Sequence, residues 1–134
     1  MRAAILAAFP YTLAVFAAGA ALGTWRTLVL APRLGEGPAI LLEVPVMLAV
    51  SYGVALWVVR LVSVPARLAP RLAMGAAAFV VLQAAEVALS TLILGRSLAE
   101  HWAAIVSAER LAGLAAQAVF AAMPALLLIG SRRP

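Results

Sequence analysis

The feature that most constrains this chain is a series of four apolar runs, each long enough to cross a lipid bilayer. The runs cover about residues 3–31, 38–62, 71–95 and 102–130, and short connections rich in proline, glycine or arginine separate them. Because a helix needs about 20 mostly apolar residues to span the hydrocarbon core, each run predicts one transmembrane helix. The sequence therefore predicts one all-α integral membrane domain, residues 1–134, with four transmembrane helices.

The composition favours the same class of protein. Hydrophobic residues make up 66% of the chain, charged residues make up 11%, and the mean hydropathy is +1.11. Soluble domains average about 45–50% apolar and about 25% charged residues, so a water-facing domain of this size would lack polar surface. The lipid bilayer is therefore the first partner that the sequence predicts.

The net charge of +5 comes from ten arginines, since the chain has no lysine. In a soluble protein this balance would suggest nucleic-acid binding, but these arginines are scattered among apolar runs without a basic tract. We therefore predict no nucleic-acid partner. The chain also has no cysteine and only one histidine, His101, so it cannot build a thiolate metal site or offer two imidazoles to a haem. We expect neither a metal nor a cofactor.

The arginines also predict how the helices are oriented. Six arginines fall on the side that holds both termini, with no acid among them, and only two fall in the opposite loops. Because basic loops stay in the cytoplasm, we expect both termini to be cytoplasmic. The absence of lysine beside abundant alanine and arginine suggests a GC-rich bacterial genome, and hence a bacterial inner membrane. The six are Arg2, Arg60, Arg67, Arg71, Arg132 and Arg133.

Two features near the termini of the runs need an interpretation. Arg2 and the apolar stretch after it resemble a signal peptide, but the apolar run continues to Ala31, so we expect an uncleaved first helix. Ser97 and Glu100 have the spacing of a capping box, which predicts that a helix begins at this point.

A weak internal repeat relates the two halves of the chain. Residues 27–36 align without gaps on residues 91–100, and the same offset places the first run on the third and the second on the fourth. Each half would then be a helical hairpin, and the two hairpins would share one orientation. Low-diversity apolar sequences also match by chance, so the sequence leaves two tandem hairpins and an unrepeated bundle both open.

Six residues inside the predicted helices form a candidate polar cluster, in which each needs a partner or a function. Arg26 and Glu43 are about equally far from the middle of the first loop, in opposite directions along the chain. Glu86 and Arg110 have the same relation to the third connection, so each hairpin offers one arginine and one glutamate at one depth. The six residues are Arg26, Glu43, Gln83, Glu86, Arg110 and Gln117.

The polar cluster has three interpretations that the sequence does not separate, and one of them is contact with a partner subunit. In the first, Arg26–Glu43 and Glu86–Arg110 are charge pairs that fasten helices together. In the second, Glu86, the deepest acid, binds a proton, a cation or a group of a substrate. Gln83 and Gln117 lie near the middle of their helices and are expected to hydrogen-bond to each other's helix.

Glycine and proline add expectations about packing. Gly19 and Gly23 form a GxxxG motif, which predicts a close helix–helix contact, within the monomer or in a dimer. Pro45 frees the carbonyl group of Leu41, to which Arg26 could donate. His101 is expected to be solvated at the membrane interface.

No set of residues in the sequence indicates catalysis, because no nucleophile–base pair with the histidine and no phosphate-binding loop is present. We expect a non-enzymatic helix bundle that acts as an accessory or assembly subunit, packing with other membrane proteins or as a homo-oligomer. The reason is size, since four small-residue helices pack well but should enclose little volume. The alternative is a small oligomeric transporter or channel with Glu86 as coupling carboxylate, which requires a wet cavity reaching Glu86.

Overall fold

A computed structural model describes residues 1–103 and 108–130, with side chains over 1–103 and 111–130. Within these ranges the chain is helical and forms no strand. Four helices are long and apolar enough to cross a membrane, which confirms the predicted number of such helices. The helices are α1 (Arg2–Leu34), α2 (Glu36–Leu61), α3 (Leu68–Ile93), the short α4 (Leu98–Ala103) and α5 (Ala108–Gly130).

Two glycines with positive φ end the first and third helices. Gly35 has φ 87° and separates α1 from α2, and Gly95 has φ 64° and follows α3. Glycine adopts this left-handed conformation without steric cost, so both helices can stop abruptly and the chain can reverse. We call the end of the bundle that holds these glycines the outer end, and the opposite end, with residues 61–68, the inner end.

The four long helices form a ring that differs from the order of the chain. α1 packs against α2 and α3, and α5 packs against the same two helices. Helices α2 and α3, which follow each other in sequence, are therefore diagonally opposed, as are α1 and α5. Each hairpin, α1–α2 or α3–α5, presents both of its helices to the other hairpin.

The inner half of this ring is densely packed with small side chains. Ala4, Ala7 and Ala8 of α1 are fully buried, and they pack in one cluster with Met74 and Ala78 of α3. Short side chains let the helix axes approach closely, and close packing is the main source of attraction between helices in an apolar solvent. The core of the molecule therefore lies toward the inner end.

Two backbones approach closely at Gly75, a residue that the sequence did not single out. A Cβ atom built on Gly75 would lie only 1.8 Å from the carbonyl oxygen of Ala121, so α3 and α5 touch there directly. Gly19 and Gly23 face α2, as predicted, but their added Cβ atoms would lie 3.4 Å from Met47 Cε and 3.8 Å from Glu43 Oε1. The two glycines therefore lie at a helix–helix contact within the monomer, where side chains of α2 pack against them, and the dimer alternative stays a prediction.

The outer parts of α1 and α3 share an unusual local structure. Residues Arg26–Leu30 and Leu89–Ile93 each form one turn of π-helix. Within them, Thr27 donates its hydroxyl to the carbonyl of Gly23 at 2.8 Å, and Thr91, 64 residues later, donates to the carbonyl of Val87 at 2.8 Å. The same offset relates both donors and both acceptors, which supports the two-hairpin repeat. Single π-helical turns are frequent near functional sites.

Candidate functional site, a polar cavity at the outer end

The outer half of the bundle is hollow. A cavity of about 810 Å³ lies between the helices, and all four long helices contribute to its wall. The expectation that so small a bundle would enclose little volume is therefore wrong. Its polar lining residues are Arg26, Glu36, Glu43, Ser51, Glu86, Ser90, Arg96, His101 and Gln117.

The cavity extends deep into the bundle. Along α2 its lining runs from the exposed Glu36 at the outer end to the buried Ser51, a rise of about 22 Å for 15 residues of helix. At its floor, Tyr11 stacks on Phe120 with ring centroids 4.5 Å apart. Tyr11 is fully buried, and its hydroxyl donates to the carbonyl of Phe120 at 2.8 Å. This stacked pair therefore lies between the cavity and the inner end of the bundle.

The predicted partnership of Arg26 and Glu43 is present on one wall. Arg26 Nε lies 2.5 Å from Glu43 Oε2, and Arg26 Nη1 lies 3.8 Å from Glu36 Oε2 at the cavity mouth. Among the described residues the Nε–H group has no aligned hydrogen bond, so the contact is an ion pair. The expected donation to the Leu41 carbonyl is replaced by these two carboxylates, which attract the guanidinium more strongly than a neutral oxygen does.

The opposite wall carries a directed chain of side-chain hydrogen bonds. Gln83 Nε2 donates to Gln117 Oε1 at 2.7 Å, and Gln117 Nε2 donates to Glu86 Oε1 at 2.6 Å. Both glutamines therefore hydrogen-bond across helices, as predicted, and their mutual bond orients the amide of Gln117 so that its NH₂ group faces Glu86. The side chain of Arg110 lies outside the described residues, so its pairing with Glu86 stays a prediction.

Two further residues give the cavity wall its polar character at the mouth. Ser90 Oγ is buried and has no hydrogen-bond partner within the described part of the chain. His101 is only 4% exposed, lines the cavity and meets the ring of Trp102 edge-on with centroids 5.3 Å apart. The expectation of a solvated His101 is therefore wrong, because α4 directs this side chain into the bundle.

The predicted capping box holds the start of α4 in place. The amide of Ser97 donates to Glu100 Oε2 at 2.7 Å, and the amide of Glu100 donates to Ser97 Oγ at 3.1 Å. The backbone hydrogen bond from Ser97, followed by the Ser97 hydroxyl, lowers the pKa of the Glu100 carboxyl below its ordinary value. This short helix positions His101 at the cavity.

Sequence reasoning found only part of this site. It singled out Arg26, Glu43, Glu86 and Gln117, but it did not place Glu36, Ser51, Arg96 or His101 in the same cluster. Glu36 and Arg96 belong to loops by their position, and nothing in the sequence says that they face the bundle axis. Ser51 carried a usable signal, since it is a polar residue inside an apolar run, as Ser90 is.

Comparisons with known proteins give no further guide to this site. The chain matches no known family model, no curated protein and no solved structure. Within the described residues, no three His, Cys, Asp or Glu side chains gather closely enough to hold a metal ion. The cavity is therefore the observation from which a function can be argued.

Proposed function

We propose that this chain is an integral membrane protein that binds a small solute in its outer cavity and acts, as an oligomer, as a transporter or channel with Glu86 as coupling carboxylate. The observation that carries the proposal is the cavity of about 810 Å³ that extends from the outer end to Glu86. Pockets of about 300–1,000 Å³ are typical of sites for small molecules.

The chemistry of the lining supports binding of a solute. Apolar side chains such as Phe16, Met47 and Phe120 form much of the wall, and a few polar groups converge between them. Apolar walls with a small number of oriented polar groups are the common design of small-molecule sites, since the walls give affinity and the polar groups give specificity.

Glu86 is the group most suited to recognition or coupling. It lies in a membrane-length helix, is half-buried, and faces the cavity while accepting a hydrogen bond from Gln117. A carboxylate in a transmembrane segment is costly and commonly marks an ion, proton or substrate pathway. An ionised carboxylate carries a negative charge and accepts hydrogen bonds but donates none. We therefore expect the solute to carry a hydrogen-bond-donating or cationic group.

The position of the Tyr11–Phe120 stack, between the cavity and the inner end, supports a transport cycle with more than one state. A solute could enter from the outer end and reach Phe120, where the Tyr11 stack blocks further passage. Passage would require the floor to open as one hairpin moves against the other, as transporters with repeated units do. The arginine distribution orients the outer end away from the cytoplasm of a bacterial inner membrane, with both termini cytoplasmic.

The direct test is solute binding to the purified full-length protein. Thermal stability in detergent is measured with organic amines, matched organic acids and neutral polyols, before and after Glu86→Gln. We expect amines to stabilise the protein and the variant to lose this effect, because glutamine keeps the size of the side chain but removes its charge. Glu100→Gln is the matched control, since Glu100 lies outside the cavity and glutamine can still cap α4.

Two results would contradict the proposal. One is stabilisation that is unchanged in Glu86→Gln. The other is the absence of any response to the whole panel, together with no solute- or proton-dependent current in proteoliposomes.

The second candidate is the accessory or assembly subunit. The hydrogen bonds from Gln83 to Gln117 and from Gln117 to Glu86 favour it, because polar bonds between helices often serve only to hold a bundle together. Copurification in mild detergent, read by mass spectrometry, tests this function. A stoichiometric membrane partner, combined with no solute response, would favour the accessory role over transport.

A further inference from the structure

A second depression lies at the inner end, on the outside of the bundle. It encloses about 540 Å³ between the α2–α3 connection and the last turns of α5. We call it the inner groove. Its lining residues are Ala66, Arg67, Leu68, Ala122, Ala125, Leu126, Leu128 and Ile129.

Of the described residues that line the inner groove, all but one are apolar. The small residues Ala122 and Ala125 leave the depression in the surface of α5, and the exposed Leu68 and Ile129 border it. Arg67 is the charged member of the lining and is exposed. An elongated apolar surface beside a single cation matches a molecule that has an apolar chain and an anionic head.

A buried arginine makes the wall of the inner groove rigid. Arg71, one of the six arginines that predict the orientation, is only 6% exposed. Its Nε donates to the carbonyl of Pro65 at 3.1 Å and its Nη2 donates to the carbonyl of Val64 at 3.2 Å. The amide of Arg67 also donates to Pro65, at 2.8 Å. The connection that carries Arg67 is therefore held in one shape before any ligand binds, which lowers the entropic cost of binding.

The charge at the inner end selects an anionic partner. All five acids of the chain belong to the other half of the bundle or its loops, and they are Glu36, Glu43, Glu86, Glu100 and Glu109. At the inner end, Arg2, Arg60 and Arg67 are exposed. Because the glutamates lie in the other half, these arginines attract anionic lipid head groups, an effect of about 1 kcal/mol per basic residue near an anionic surface.

We infer that the inner groove binds an anionic phospholipid, with one acyl chain along Ala122 and Ala125 and the phosphate at Arg67. This inference rests on the proposed membrane location, but it is independent of the cavity and of transport. It therefore also holds for an accessory subunit.

The test measures lipid binding to the full chain purified in detergent, by native mass spectrometry and thermal stability. Phosphatidylglycerol is compared with phosphatidylcholine of the same acyl chains and with glycerol phosphate. We expect preference for phosphatidylglycerol, and a loss of about fivefold in its affinity for Arg67→Gln, which corresponds to about 1 kcal/mol. Arg33→Gln is the matched control, since Arg33 is an exposed arginine at the outer end.

A second variant tests the place of the acyl chain. Ala125→Phe fills the groove and should weaken the binding of both phospholipids. The melting temperature of this variant without lipid reports whether it still folds. Ala122→Leu serves the same purpose if the phenylalanine at position 125 prevents folding. Equal binding of the two phospholipids, or equal loss in Arg67→Gln and Arg33→Gln, would overturn the inference. Binding of glycerol phosphate as strong as that of the lipid would show a free-phosphate site instead. None of these outcomes depends on the solute-binding result for Glu86→Gln, so the lipid site and the proposed function are tested separately.

Discussion

Tyr11 replaces the backbone N–H group that Pro124 lacks. Phe120 precedes Pro124 by four residues, so its carbonyl receives no hydrogen bond from within α5. The hydroxyl of Tyr11 donates to this carbonyl at 2.8 Å, and Pro124 is fully buried beside it. Since Tyr11 belongs to α1, this bond joins two diagonally opposed helices at the floor of the cavity.

Removing this hydroxyl should therefore weaken the bundle. We expect Tyr11→Phe to lower the free energy of unfolding by about 1–3 kcal/mol, because the buried carbonyl is left without a partner while the ring stack persists. Thermal or denaturant unfolding in detergent measures the change. Tyr52→Phe is the control, since Tyr52 is half-exposed. An equal effect of both substitutions would contradict the assigned role of Tyr11.

Adding one methyl group at Gly75 should also be damaging. The Cβ atom of Gly75→Ala would lie 1.8 Å from the Ala121 carbonyl, so α3 and α5 would have to separate. Overpacking of this kind costs about 1–3 kcal/mol, and more where backbone must move. Gly53→Ala is the matched control, because a Cβ there meets no atom within 4 Å. Unfolding curves of the two variants that coincide would refute the close contact.

The predicted interaction between Glu86 and Arg110 can be tested by a double-mutant cycle. We expect the destabilisations caused by Glu86→Gln and by Arg110→Gln to add up to more than the destabilisation of the double variant. The reason is that either change alone leaves a charge without its counterpart. Coupling between contacting groups is about 0.5–3 kcal/mol. Additive effects on the free energy of unfolding would show that the two side chains do not interact.

The topology is open to a simple test. Reporter fusions at Gly35 and after Pro134 should report opposite compartments, with the second cytoplasmic, because the arginines favour that side. Reporters on the same side would rule out four spanning helices. A reversed pattern would rule out the proposed orientation.

The capping box predicts a pH dependence at the outer end. Because the pKa of Glu100 is lowered by its bonds with Ser97, the carboxylate stabilises the start of α4 at pH values above the ordinary glutamate pKa. That contribution is lost as the pH falls through the lowered value. Carboxyl-carbon NMR of Glu100 should show the lowered pKa, and protection of the Ser97 amide should decrease upon acidification. In Glu100→Gln, which cannot titrate, the protection should not respond in this way.

Properties that depend on residues close in sequence could be predicted. The lengths of the apolar runs give the number of helices, and equal distances from a turn bring Arg26 and Glu43 together. The capping box at Ser97 is likewise a local pattern. These features need only the geometry of a helix or a hairpin.

The cavity and the ring order could not be predicted in this way. They depend on packing between helices remote in the chain, such as Gly75 against Ala121, and many glycines in apolar runs look alike in sequence. The direction of His101 depends on how α4 leaves the bundle, which one helical turn does not specify. The volume of the cavity at the outer end results from all of these packing contacts together.

The matched threonines in the two π-helical turns have a consequence for how such a site can change during evolution. Residues 26 and 90 correspond under the offset that relates Thr27 to Thr91, and both line the cavity, one as arginine and one as serine. In a pair of identical hairpins, any mutation would appear on both walls at once. Once the hairpins are joined in one gene, each wall can acquire its own charge, and a solute with two different ends can be held in a single orientation.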